Sequence, residues 1–136
     1  FLIDVHILVD PEMTVTEGHR VAEIARRNLI KAFDNIQDVL VHVDGESDAE
    51  VEAIYPITRK ELIDIAQPLI SELEGCILQP EIRVHHIKGK NILDVFLKID
   101  SKQNLENSRD LVANVKSKLE TAPQIDQARV FLDLNS

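Results

Sequence analysis

Residues 1–10, FLIDVHILVD, alternate strictly: Phe1, Ile3, Val5, Ile7 and Val9 fall on one side of an extended chain, and Leu2, Asp4, His6, Leu8 and Asp10 on the other. This period of two predicts a half-buried strand, which Pro11 ends. Thr14, with Glu17 three residues later, has the spacing of a capping box, in which each residue satisfies an otherwise orphaned backbone N–H of the other. A helix is expected from there to about Phe33. Its stripe of Ala22, Ala25, Leu29 and Ala32, flanked by Val21, Ile24 and Phe33, can cover one face of a sheet. Residues 38–44, DVLVHVD, alternate again with Val39, Val41 and Val43 inward, so the first unit reads β-α-β. The segment 45–53, GESDAEVEA, has no strong period and reads as an acidic linker. The expected domains are therefore residues 1–53 and 54–136.

The second half opens on another capping-box pair, Thr58 and Glu61. Leu62, Ile65, Ala66, Leu69, Ile70 and Leu73 then recur at helical intervals up to Gly75. Pro68 inside this run predicts a kink or a break. IRVHHI (82–87) and ILDVFLKID (92–100) flank Lys88-Gly89-Lys90-Asn91, which predicts a hairpin with glycine in or near the turn. A helix over Leu105–Leu119 and a strand over Ala128–Leu134 complete an α-β-β-α-β order.

The two halves align. IDVHILVD (3–10) sits over LDVFLKID (93–100), Leu29 meets Leu119, and Ala32 meets Ala122. With one residue deleted, IQDVLVHVD (36–44) sits over IDQARVFLD (125–133). We read this as an internal duplication. The copies differ at histidines: His6 aligns with Phe96, His19 with Arg109 and His42 with Phe131. Phe96 and Phe131 are expected to replace the imidazoles with apolar contact, making the second copy a packing surface independent of metal.

The 136 residues hold 24 acids against 15 Lys and Arg, a net charge of −9. Tracking a phosphate backbone or docking on anionic lipid requires a basic face, so this balance argues against both and favours cationic ligands. Hydrophobic residues at 44% and charged ones at 29% fit a folded domain rather than a disordered chain. No apolar run approaches the roughly 18 residues a bilayer span needs, and there is no signal-peptide pattern, so the chain taken alone is expected to be soluble. The start at Phe1, inside a strand pattern, suggests a fragment of a longer protein. A single cysteine, Cys76, excludes an internal disulfide and a thiolate-only metal cage. It reads as a small buried hydrophobe.

Imidazole and carboxylate are then the available metal donors. Strand parity puts His6, His42 and Asp44 on the helix-free face, and if the two strands are neighbours these three donors meet. His19, just inside the helix start, could supply a fourth. Such a set suits Zn²⁺ best, with Mn²⁺, Co²⁺, Ni²⁺, Cu²⁺ or Cd²⁺ as other possible occupants. Solvated surface histidines are the competing reading. His85 and His86, adjacent on a strand, point to opposite faces, so at most one could join any site.

The run DVHILVDPEMTVTEGHRVAE, followed by a helix ending in AF and then DVLVHVD, resembles the cytoplasmic C-terminal domain of cation diffusion facilitator (cation efflux) transporters. The match is close over residues 1–44 and looser over 58–134, where Pro80 stands in place of a histidine of the family's first strand. The resemblance implies an α+β, ferredoxin-like (metallochaperone-like) α-β-β-α-β fold, here in two tandem copies. The first copy lacks its N-terminal helix and strand, and with them one ligand histidine. It further implies a homodimer on the cytoplasmic side of the membrane, continuous with a transmembrane divalent-cation/proton antiporter. Zn²⁺ or another divalent ion would be held by His6, His19, His42 and Asp44, with His42 and Asp44 able to bridge two ions. Metal would then draw like-charged copies together, because residues 1–50 carry 11 acids and 4 bases, net −7, against −2 for residues 51–136. The rival readings are a metal-independent structural dimerisation module and a small-molecule effector domain, the latter disfavoured by only four glycines. With no nucleophile elbow, phosphate-binding glycine loop or H-E-x-x-H, enzymatic activity is not expected.

Overall fold

The computed structural model describes residues 1–47, 56–73, 80–98 and 105–134. Most of the acidic linker, Gly75 and Cys76 lie outside these. The chain divides into two compact units, Phe1–Glu52 and Ala53–Ser136. Among the described residues, three helices and two sheets make the class α+β.

The first unit is β1 (Leu2–Leu8), α1 (Val15–Ala32) and β2 (Asp38–Asp44). The strands pair in parallel, from Leu2 opposite Asp38 to Leu8 opposite Asp44. Thr14 caps α1 through the expected box: the Glu17 N–H donates to the Thr14 hydroxyl at 3.3 Å, and the Thr14 N–H to the Glu17 carboxylate at 3.3 Å. Arg26 reaches from α1 to Asp38 at 2.9 Å, and this hydrogen bond, with a lesser one from the Val39 N–H, holds the Asp38 carboxyl below its usual range. The helix lies over the Val39, Val41 and Val43 side of β2, where Gly18 is buried. A Cβ at Gly18 would lie 3.4 Å from Cγ1 of Val43, so alanine just fits and anything larger pushes the helix away. Gly18→Ala is expected to keep or raise stability by up to about 1 kcal/mol through helix propensity, while Gly18→Val costs about 1–3 kcal/mol in chemical denaturation.

The second unit is α2 (Arg59–Ser71), β3 (Glu81–Ile87), β4 (Lys90–Lys98), α3 (Leu105–Leu119) and β5 (Gln127–Asp133). Its sheet runs β3-β4-β5, antiparallel then parallel. Lys88 and Gly89 turn the hairpin with φ of 50° and 71°, the two left-handed positions of a tight turn matched to strand twist. The sheet packs one face on both helices: Leu93, Val95 and Leu97 alternate into a core with Leu62, Ala66, Ile70, Val115, Leu119 and Ala128. α2 runs unbroken through Pro68 because the proline falls in its last turn, and Glu72 N–H still closes on the Pro68 carbonyl at 3.1 Å.

The end of α3 is pinned to β5. Glu120 accepts from the Ala128 N–H at 3.0 Å and from Lys116 at 2.6 Å, while Lys116 also donates to the Ala128 carbonyl at 2.8 Å. The bond from the Ala128 N–H, then that from Lys116, holds the Glu120 carboxyl below its usual range. A depressed carboxyl contributes its stability above the unfolded value, about 4.3, and loses it as pH falls through the folded one. Glu120→Gln should therefore lower stability by about 0.5–1 kcal/mol at pH 7. The difference between the two proteins should shrink as the pH is lowered and the Glu120 carboxyl protonates in the folded state.

Aligned as in the sequence, the two parallel pairs share one register. Leu2 opposite Asp38 maps onto Ile92 opposite Gln127, and His6 opposite His42 maps onto Phe96 opposite Phe131.

Candidate metal centre

Because α1 covers the valine side of the first pair, the other side of β1 and β2 carries Leu2, Asp4, His6 and Leu8 beside Asp38, Leu40, His42 and Asp44. Register sets His6 directly opposite His42, and their rings stack with centroids 4.5 Å apart at 11°. Each imidazole is held by a carboxylate from the other strand. His6 Nδ1 lies 2.8 Å from Asp44 Oδ2, and His42 Nε2 lies 3.1 Å from Asp4 Oδ1.

Asp4, His6 and His42 each offer one ligand atom, all within 4.8 Å of one another; among the described residues they form the candidate metal-binding group. Two donors bound to one tetrahedral Zn²⁺ at about 2.0–2.1 Å stand roughly 3.3 Å apart. The His42–Asp4 separation of 3.1 Å is close to that edge. Asp44 holds Nδ1 of His6, the way a carboxylate orients a metal-binding histidine. Two imidazoles and a carboxylate without thiolate suit a borderline ion such as Zn²⁺. The side chains of His6, His42 and Asp4 are 59%, 42% and 61% exposed, so an ion here keeps coordination positions open to a further ligand.

The residues singled out from sequence separate into three places. His6 and His42 lie in the cluster, and Asp44 attaches to it through His6. His19 is exposed on α1 and lines a cleft of about 450 Å³ with Asp10, Met13, Val41 and Val43, on the helix side of the strands. Asp4 was not among the expected ligands, although it shares the strand parity of His6 two residues away. His85 pairs with Asp94 at 2.9 Å and His86 with Asn91 at 2.8 Å, on opposite faces of β3.

In the second unit the equivalent positions carry no imidazole. Phe96 stacks on Phe131 with centroids 5.2 Å apart, and the guanidinium of Arg83 lies 4.8 Å from the Phe96 centroid. Asp94, the counterpart of Asp4, is clamped: Nε of Arg129 donates to Oδ1 and Nη2 to Oδ2 at 3.0 Å, and His85 Nε2 lies 2.9 Å from the same Oδ2.

Residues 1–46, which build the histidine cluster, match the family described as the cytoplasmic domain of cation efflux proteins. The chain as a whole is 22% identical to metal tolerance protein C1 of Arabidopsis thaliana, over 98% of its own length and 31% of that protein's. It thus spans about a third of the curated relative it matches. Among the described residues, no helix is long and apolar enough to cross a membrane.

Proposed function

We propose that this chain is the cytosolic metal-binding and dimerisation part of a proton-coupled divalent-cation efflux transporter, with Zn²⁺ as the ion, and that it catalyses no reaction. The observation that carries the reading is the Asp4–His6–His42 donor group on the open face of the unit that matches the cation efflux domain. Asp44 supports the group through His6. The exposure of the cluster favours a fourth ligand supplied by a second chain, and the exposed His19 has the right chemistry for it. The common register of the two units supports reading them as tandem ferredoxin-like copies, the second having lost its metal.

The mechanism is an electrostatic switch. Two first units, each net −7 over residues 1–50, repel until divalent ions offset the carboxylates and tie the faces together. Metal and protons compete for imidazole, so the switch weakens as the pH is lowered. Sedimentation of the purified chain at pH 7.5 tests this. Zn²⁺ should tighten self-association, or shrink the hydrodynamic radius of the dimer, relative to EDTA, and the effect should fade at pH 5.5. Zn²⁺ that binds without changing either quantity would refute the switch.

A further inference from the structure

We propose that the outward face of α1 docks on the anionic lipid surface of the membrane beside this domain, an inference that rests on the transporter reading above. The net charge of −9 disfavours such a surface for the chain as a whole, but the charge is segregated. All four Lys and Arg of residues 1–50 lie on α1: Arg20, Arg26, Arg27 and Lys31. Arg26 is engaged with Asp38. Arg20, Ile24, Arg27 and Lys31 recur at spacings of four, three and four, which brings them within about 60° of one another around the helix. All four are exposed, Ile24 at 52%, whereas Gly18, Val21, Ala22, Ala25 and Leu29 on the other side of the helix are buried or half-buried. α1 carries two acids against these bases: Glu17, tied into the N-terminal cap, and Glu23, 3.9 Å from Arg27 at the edge of the stripe.

The second half of the chain supplies a comparison. In the alignment that sets Leu29 on Leu119, the positions Arg20, Ile24, Arg27 and Lys31 fall on Asp110, Asn114, Ser117 and Thr121. The packing leucine is shared, and the basic stripe belongs to the first unit. An isoleucine among long basic side chains suits a lipid headgroup layer better than an acidic peptide. The apolar side chain enters the layer, while the Lys and Arg stems lie along it and carry their charges to the phosphates. Phe33, the C-cap of the same helix, is 57% exposed and adds a second apolar side chain. Because α1 packs on the valine side of β2, the stripe and the Asp4–His6–His42 group lie on opposite sides of the unit. Lipid contact therefore leaves the metal face open. Each basic residue at an anionic leaflet contributes about fivefold in affinity, so three make a weak contact that a covalent membrane tether strengthens.

The test is co-sedimentation of the whole chain, in EDTA and millimolar lipid, with vesicles of phosphatidylcholine or of an equal mixture of phosphatidylcholine and phosphatidylserine. Wild type should bind the mixed vesicles and not the zwitterionic ones, and added salt should release it. Arg27→Glu should lower the partition coefficient at least about fivefold, and Ile24→Ser should lower it as well. Lys31→Arg should retain it. Arg109→Glu makes the same charge change as Arg27→Glu at an exposed position of α3 and should leave binding near the wild-type value. No preference for the mixed vesicles overturns the proposal. So does an equal loss in Arg27→Glu and Arg109→Glu, which would make net charge alone the cause. Binding to soluble polyglutamate with none to vesicles would assign the stripe to an acidic protein segment and likewise overturn it. Zn²⁺ titration of the same samples separates the two readings. Absent vesicle binding with Zn²⁺ binding intact overturns the lipid contact alone, whereas a wild type that binds no Zn²⁺ overturns the reading on which it rests.

Discussion

Replacing both His6 and His42 with alanine should weaken Zn²⁺ binding by at least about 100-fold in calorimetric titration. Each loses a direct donor, and even indirect partners of a metal ligand are worth roughly 10–100-fold. The fold should survive, because both rings lie on the solvent side of the strands and contribute nothing to the valine side that meets α1. Asp4→Ala should also weaken binding strongly. Asp44→Asn should cost less, because an amide oxygen can still accept from Nδ1–H of His6 and hold the ring in place. Wild-type affinity in the double variant would return the histidines to the role of solvated surface residues.

Asp94→Ala should be the most damaging of these substitutions for the second unit. The side chain of Asp94 is 13% exposed, with Arg129 at 28% and His85 at 24%, so the three share a partly desolvated site. Removing the carboxylate takes from the Arg129 guanidinium an acceptor that two of its N–H groups share. Breaking a fully buried ion pair costs about 3–5 kcal/mol; with residual solvent at Arg129, about 2–3 kcal/mol is expected here. Chemical denaturation of variant and wild type measures this directly. A joint Asp94→Leu/Arg129→Leu replacement should recover much of the loss, because apolar groups of similar volume need no partner. A loss of less than about 0.5 kcal/mol for Asp94→Ala would mean that partners other than Asp94 satisfy Arg129.

The elements were legible because their signals were local. The period of two in residues 1–10 and 38–44, both Thr–Glu capping boxes and the Lys88-Gly89 turn all coincide with the elements observed. The site was only half legible, for a physical reason. Parity told that His6, His42 and Asp44 share a face, but which carboxylate meets which imidazole depends on register across strands, and the register sets Asp4 beside His42 and Asp44 beside His6. Asp4, alternating with apolar residues on a half-exposed strand, has the pattern of ordinary solvated polarity. His19 was placed near the site by its position along the chain, whereas the helix carries it to the opposite side of the strands. The copy without histidines was legible in substitution alone, His6 to Phe96 and His42 to Phe131. The clamping of Asp94 by Arg129 needed the third dimension, because Arg129 aligns with Leu40 and no motif announces it.

The proposed function turns on one claim, that Asp4, His6 and His42 hold the ion. X-ray absorption at the zinc edge, on the chain loaded with one equivalent of Zn²⁺, is the decisive test. The expected spectrum shows a shell of nitrogen and oxygen at about 2.0–2.1 Å, with the outer-shell scattering of at least two imidazoles and no sulfur. A sulfur shell near about 2.3 Å, or no imidazole scattering at all, would contradict it.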